Sequence, residues 1–248
     1  MSALRLLIAL IVGILIISLM VVSPAAAQVY VMESTVPAIR VGSALEMDAT
    51  LSIPAGGHLR CVLPSGKTQT VNGPYNGRVA DLAKGQPINE GVVTWIKNVL
   101  SSGGATEAKP GATRSAARAA EKVRMPFSWS AIPFSNATVC IQKGAKLQLV
   151  RASAGAVETF TVVDGATGQQ AEGRWEAAST VADWPASVVP RTDVTYYVQV
   201  PDRPRRQVVL RVLDKLPAEE ELLTELHRQG CSAQFEAWMR DKLAAAPR

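Results

Sequence analysis

His58-Leu59-Arg60-Cys61-Val62-Leu63-Pro64-Ser65-Gly66-Lys67-Thr68-Gln69-Thr70-Val71 is the stretch that decides the fold class. Leu59, Cys61 and Leu63 alternate with His58, Arg60 and Val62, the two-residue period of a strand with one buried face. Pro64-Ser65-Gly66 makes a tight turn, and Lys67–Val71 returns as the hairpin partner. Upstream, Val29-Tyr30-Val31-Met32 is rich in β-formers, and Ile53-Pro54-Ala55-Gly56-Gly57 is a turn. Downstream, Gly73-Pro74-Tyr75-Asn76-Gly77 forces a bend. These pieces make residues 28–82 a small β-meander.

Asn89-Glu90 opens a helix, with the Asn side chain placed to cap a free N–H. Val92, Val93, Ile96, Val99 and Leu100 follow at helical spacing, and Ser101-Ser102-Gly103-Gly104 ends it. Residues 101–124 are rich in Ala, Gly, Ser and basic side chains and read as a linker, with an Ala-rich helical stretch near 113–123. From Met125 the strand pattern resumes. Ala137–Ile141, Lys146–Arg151, Val157–Val163, Gly173–Ala177, Asp193–Val200 and Arg206–Leu213 are separated by turns at Lys143-Gly144, Asp164-Gly165 and Pro201-Asp202. That spacing suits a β-sandwich. Pro217 with Glu219-Glu220-Glu221 starts a helix whose first turn favours acids. Leu222, Leu223 and Leu226 are its apolar side, and Gly230 stops it. Ser232 is placed to cap a second helix carrying Phe235, Trp238, Met239 and Leu243. Two short helices need a surface to pack on, and the sandwich is the nearest one.

The expected organisation is therefore an export segment at 1–27, a β-domain with a helix at 28–100, a basic linker at 101–124, and a sandwich closed by a helical hairpin at 125–248. The export reading rests on one charge, Arg5, before the uncharged apolar run Leu6–Val22, then Ser23-Pro24 and Ala25-Ala26-Ala27. Small residues at −1 and −3 place cleavage between Ala27 and Gln28. The alternative is an uncleaved inner-membrane anchor, since 17 apolar residues sit at the lower edge of a span. Membrane contact is otherwise not expected, and the mature chain belongs in the periplasm. Cleavage takes 26 basic residues to 25 against 21 acids, so the charge falls from +5 to +4. So mild a charge, with no recognisable module, argues against a nucleic-acid partner.

Residues 42–79 resemble the FecR-type domain of bacterial envelope regulators. The residues that carry this are Val41-Gly42, Leu51-Ser52-Ile53-Pro54-Ala55-Gly56, Leu63-Pro64-Ser65-Gly66-Lys67-Thr68 and Val71-Asn72-Gly73-Pro74. The resemblance implies a non-catalytic periplasmic β-domain that makes protein–protein contacts. It brings no catalytic residues. A regulator of that family keeps a cytoplasmic segment before its membrane helix, and here only about five residues precede the apolar run. Pro190-Arg191-Thr192-Asp193-Val194-Thr195-Tyr196-Tyr197-Val198-Gln199-Val200 resembles the late strand of immunoglobulin- and fibronectin-like sandwiches. In those, a Tyr near the strand start ties down the preceding corner, a role open here to Tyr196 or Tyr197.

The usual catalytic sets are poorly represented. Pro64-Ser65-Gly66-Lys67-Thr68 lacks the Gly a phosphate loop needs at position 61, which is Cys61, and it leads into a strand. A triad needs a His, and the two available are His58 on a strand and His227 near a helix end. Without C-x-x-C or a His pair, no zinc set forms. No cofactor is implied, and the chain is not expected to be an enzyme. Three Cys in an oxidising compartment leave one unpaired. The expected pair is Cys140–Cys231, which anchors the helical hairpin, with Cys61 a buried thiol. Trp175 and Trp184, nine apart, are the candidate glycan contact if they share an exposed sheet face; one Trp per element is more often core. Arg203, Arg205, Arg206 and Arg211 read as a solvated loop and strand edge. The function expected is a non-catalytic accessory protein whose partner is another envelope protein. A peptidoglycan- or glycan-binding module is the competing reading.

Overall fold

The computed structural model describes residues 27–103, 123 and 125–245. The export segment before Ala27 and almost all of the linker beyond Gly103 lie outside the described residues. The chain is mainly β, with several sheets followed by a C-terminal pair of helices.

The N-terminal unit is built on a four-stranded antiparallel sheet in the order β2-β1-β4-β5. Its strands are β1 (Gln28–Ser34), β2 (Ala44–Glu46), β4 (His58–Val62) and β5 (Thr68–Asn72). A separate pair, β3 (Thr50–Ile53) and β6 (Tyr75–Arg78), leads into one helical turn, α1 (Val79–Leu82). The anticipated turn at 53–57 and bend at 73–77 are therefore flanked by a strand pair the sequence did not announce. The expected face of β4 holds: Leu59 and Cys61 are fully buried, in one core with Val29, Val31, Leu51 and Ile53. Val62, assigned to the polar side, is fully buried as well. With Tyr30 and Met32 it forms the opposite face of the sheet, which is covered by helices. This explains why β1 reads as an unbroken apolar run.

The long helix α2 (Glu90–Gly103) begins as expected, with the Val92 N–H donating to Asn89 Oδ1 at 3.2 Å. Val92, Ile96 and Val99 form its buried stripe.

The second unit has two sheets packed face to face around one core. The larger runs β11-β10-β13-β14-β8 and the smaller β12-β9-β7. The strands are β7 (Ala131–Pro133), β8 (Ala137–Gln142), β9 (Gln148–Val150), β10 (Glu158–Asp164), β11 (Gln170–Trp175), β12 (Val181–Asp183), β13 (Thr195–Gln199) and β14 (Arg206–Leu213). The pairs β14–β8 and β7–β9 are parallel, and the others are antiparallel. Phe160, Trp175, Tyr196 and Ile132 fill the space between the sheets, each at most 1% exposed.

The C-terminal helices α3 (Leu222–Gln229) and α4 (Ser232–Ala244) do not simply close the sandwich. They sit between the two β units. Leu223, Leu226, Phe235 and Met239 are fully buried in a core that also holds Tyr30, Met32 and Val62 from the first unit and Cys140 and Leu213 from the second. Full burial of each such side chain contributes roughly 1.5–3 kcal/mol. Gly230 ends α3 in the left-handed region at φ 77°, and Cys231, not Ser232, occupies the cap of α4. The three glutamates also depart from expectation. Glu219–Glu221 form a separate 3-10 turn that faces the first unit. Glu219 pairs with Arg60 at 2.6 Å and Lys242 at 3.0 Å, and Glu221 pairs with Lys67 at 2.6 Å. Partial burial opposes ionisation of Glu219, but Arg60 and Lys242 outweigh it and hold the carboxyl below its ordinary pKa.

Cys140 and Cys231 form the disulfide, with Cα atoms 5.8 Å apart and 91 residues between them in sequence. Cys61 is the free, buried thiol, and burial pushes its pKa up to about 12. Closing a loop of that length is worth about 4–5 kcal/mol on the chain-entropy account. Cys140→Ser and Cys231→Ser should each lower the thermal midpoint by a similar amount, and the double variant should fall little further. Calorimetry of the three variants checks this; independent, additive losses would contradict it.

Candidate functional site

A surface groove of about 780 Å³ lies where the two sheets of the second unit meet at β11 and β12. Its floor is Ala182, Trp184 and Val188, all buried. Its rim carries Lys146, Glu172, Arg174, Glu176 and Asp183. Lys146 pairs with Asp183 at 2.8 Å and Arg174 with Glu176 at 2.6 Å, so most rim charges are neutralised locally. Exposed pairs of this kind contribute little stability.

One wall of the groove is a corner held by a tyrosine. The Tyr196 hydroxyl donates to the Val189 carbonyl at 2.9 Å and accepts from the Arg191 N–H at 2.9 Å. The choice left open between Tyr196 and Tyr197 thus resolves to Tyr196, which is fully buried and packs edge-on against Trp184 at 5.5 Å. The Trp184 indole N–H donates to the Val188 carbonyl at 2.8 Å. Arg191, at the same corner, reaches Asp164 at 2.5 Å.

Next to the groove, behind its lining residue Glu176, lies Arg151, which is 5% exposed. Its guanidinium donates to the carbonyls of Ser179 at 2.9 Å, Ala156 at 3.2 Å, and Gly155 and Glu176 at 3.3 Å. It also pairs with Glu158 at 3.3 Å. Burying a charge is tolerable only with this degree of compensation. Arg151 therefore holds two loops together.

Trp175 and Trp184 do not form a glycan platform. Trp175 is 0% exposed and donates to the Leu149 carbonyl at 3.1 Å; Trp184 is 7% exposed. Both rings face inward: Trp175 ends β11 on its core side, and Trp184, which directly follows β12, packs into the same core. Only Trp184 lines the groove, as floor. His58 lies 3.8 Å from Glu33 on the first unit, and His227 packs edge-on against Trp95 at 4.8 Å among the helices. The structure brings neither to the groove. Among the described residues, no group of three or more His, Cys, Asp or Glu could hold a metal ion. Gln28 opens β1 and donates to Glu46 at 2.5 Å, so the expected cleavage point, between Ala27 and Gln28, abuts the folded sheet.

Sequence reasoning missed the groove because β12 has three residues and too little alternation to register. It missed Gln234 for a different reason. This residue is fully buried, and its amide accepts from the Cys140 N–H at 2.6 Å while donating to the Cys140 carbonyl at 2.6 Å and the Ser128 carbonyl at 2.8 Å. A lone Gln on a helix carries no motif; only the fold reveals that it pairs with a strand edge.

The chain matches no family model, no curated protein and no solved structure. The likenesses to FecR-type domains and to immunoglobulin- and fibronectin-like strands therefore rest on the quoted residues alone.

Tyr196→Phe should cost about 1–3 kcal/mol, because it leaves the Val189 carbonyl and Arg191 N–H without their partner. Tyr197→Phe should be close to neutral. Denaturant unfolding of both variants checks this; equal losses would contradict the corner.

Proposed function

We propose that this chain is exported to the bacterial periplasm and acts there as a non-catalytic accessory protein that contacts another envelope protein. A place in a FecR-like signalling or assembly system fits the resemblance of residues 42–79. The observation that carries the non-catalytic reading is where the buried polar side chains are spent. Arg151, Asp164, Thr68 and Gln234 all bond backbone groups, and Ser65 bonds Gln86 at 2.7 Å. Each secures a turn, a loop or an element junction. The periplasmic reading draws on two features together, the apolar run after Arg5 and a disulfide that needs an oxidising compartment. Among the described residues, no helix is long and apolar enough to cross a membrane. The glycan-binding alternative loses its main support with the burial of Trp175 and Trp184.

Crosslinking in intact cells, followed by mass spectrometry of what co-purifies, tests both parts. The expected result is a chain beginning at Gln28 and reproducible enrichment of one envelope protein. Recovery with the cell-wall fraction and no protein partner would overturn the reading in favour of a glycan. A chain retaining Met1 would favour the uncleaved anchor.

A further inference from the structure

Strand β11 is the longest open sheet edge among the described residues. The edge strands β2, β7 and β12 have three residues each. The edge of β8 is occupied by the Gln234 amide and by Trp129, whose carbonyl accepts from the Gln142 N–H at 3.0 Å. The edge strand β5 has the 3-10 turn against it, with Thr68 donating to the Glu219 carbonyl at 2.9 Å. β11 has six residues, no Pro, and an unbroken register with β10. It has neither a proline nor a bulge, and the two charges it carries, Glu172 and Arg174, are of opposite sign.

The backbone phase on β11 follows from one bond. The Asp164 N–H donates to the Gln169 carbonyl, so residues 169, 171, 173 and 175 turn their peptide groups toward β10. The N–H and C=O groups of Gln170, Glu172 and Arg174 point outward, and no described residue bonds them. The side chains of Glu172 and Arg174 are exposed on one face, on either side of Gly173.

We propose that β11 is a self-association edge, joined antiparallel to β11 of a second copy about a two-fold axis at Gly173. In that register Glu172 lies opposite the partner copy's Arg174, and Arg174 opposite its Glu172. The two residues of each pair are also the ones whose backbone groups point outward, so peptide bonding and charge pairing demand the same register. Hydrogen-bonded antiparallel pairs stand about 5.5 Å apart at Cα, within reach of an ion pair. Among the described residues, Glu172 has no ion-pair partner, and Arg174, its side chain 65% exposed, pairs only with Glu176. Two five-stranded sheets would become one of ten strands. The assembly closes at two copies, because the far edge of each sheet, β8, is already covered by Gln234. This inference stands apart from the cellular location proposed above.

Sedimentation velocity over a range of concentrations, with the protein purified from cells expressing the full chain, tests it. The wild-type protein is expected to dimerise. Glu172→Arg and Arg174→Glu each put like charges opposite one another twice per dimer, and each should weaken dimerisation about tenfold or more. The double variant Glu172→Arg/Arg174→Glu should restore it. Both positions are exposed, and circular dichroism confirms that each variant is folded. A wild-type monomer at all concentrations would overturn the proposal. So would single variants that dimerise normally, or a double variant as weak as the singles.

Discussion

Cys140 is held twice by the C-terminal hairpin. Its sulfur is bonded to Cys231, and its peptide N–H and C=O are both taken by the side-chain amide of Gln234, one turn further along α4. The amide behaves as a missing strand residue. It satisfies an edge that would otherwise be desolvated under a helix, where each unpaired group costs about 1–3 kcal/mol. From this anchor, α3 and α4 reach across to Tyr30, Met32 and Val62 and to the buried stripe of α2. The ion pairs of Glu219 and Glu221 with Arg60 and Lys67 reinforce the joint at its exposed margin. Each β unit has a core of its own, and the helices supply the third core that unites them.

Local periodicity carried much of the fold. The β4–β5 hairpin, α2 with its Asn89 cap, the strands β8 to β11, β13 and β14 and the helix break at Gly230 all follow from alternation, helical spacing and turn residues. What stayed hidden depends on contacts distant in sequence. Val62 was assigned to solvent because a six-residue alternation cannot show that helices more than 150 residues later cover the second face. β7 and β12 have three residues each, below the length at which a period can be counted. The glutamates of 219–221 read as the first turn of a helix, because Arg60 and Lys67 become the partners of Glu219 and Glu221 only after folding. The cysteine pairing was legible because one Cys lay on a core face and another in an element that needed an anchor.

The candidate site was less legible than the fold. Trp175 and Trp184 drew attention by residue type, yet both rings are buried in the sandwich core. The groove beside them is formed by two sheet edges, and edges are a property of topology. Its corner was foreshadowed by the tyrosines at 196 and 197, although only the hydrogen bonds to Val189 and Arg191 distinguish them. The contrast between the two edges of the larger sheet is informative. β8 is sealed by a disulfide and a buried amide, whereas β11 is left open with a short, self-complementary charge pattern.

The clamp is read most directly by hydrogen exchange, comparing the native protein with the Cys140→Ser/Cys231→Ser variant. The account predicts that α3 and α4 lose protection together with α2 and with β1, whose Tyr30 and Met32 they cover. β10 and β13, inside the sandwich core, should keep theirs. If β1 and α2 remain fully protected while the hairpin opens, the helices do not unite the two units and the account is contradicted.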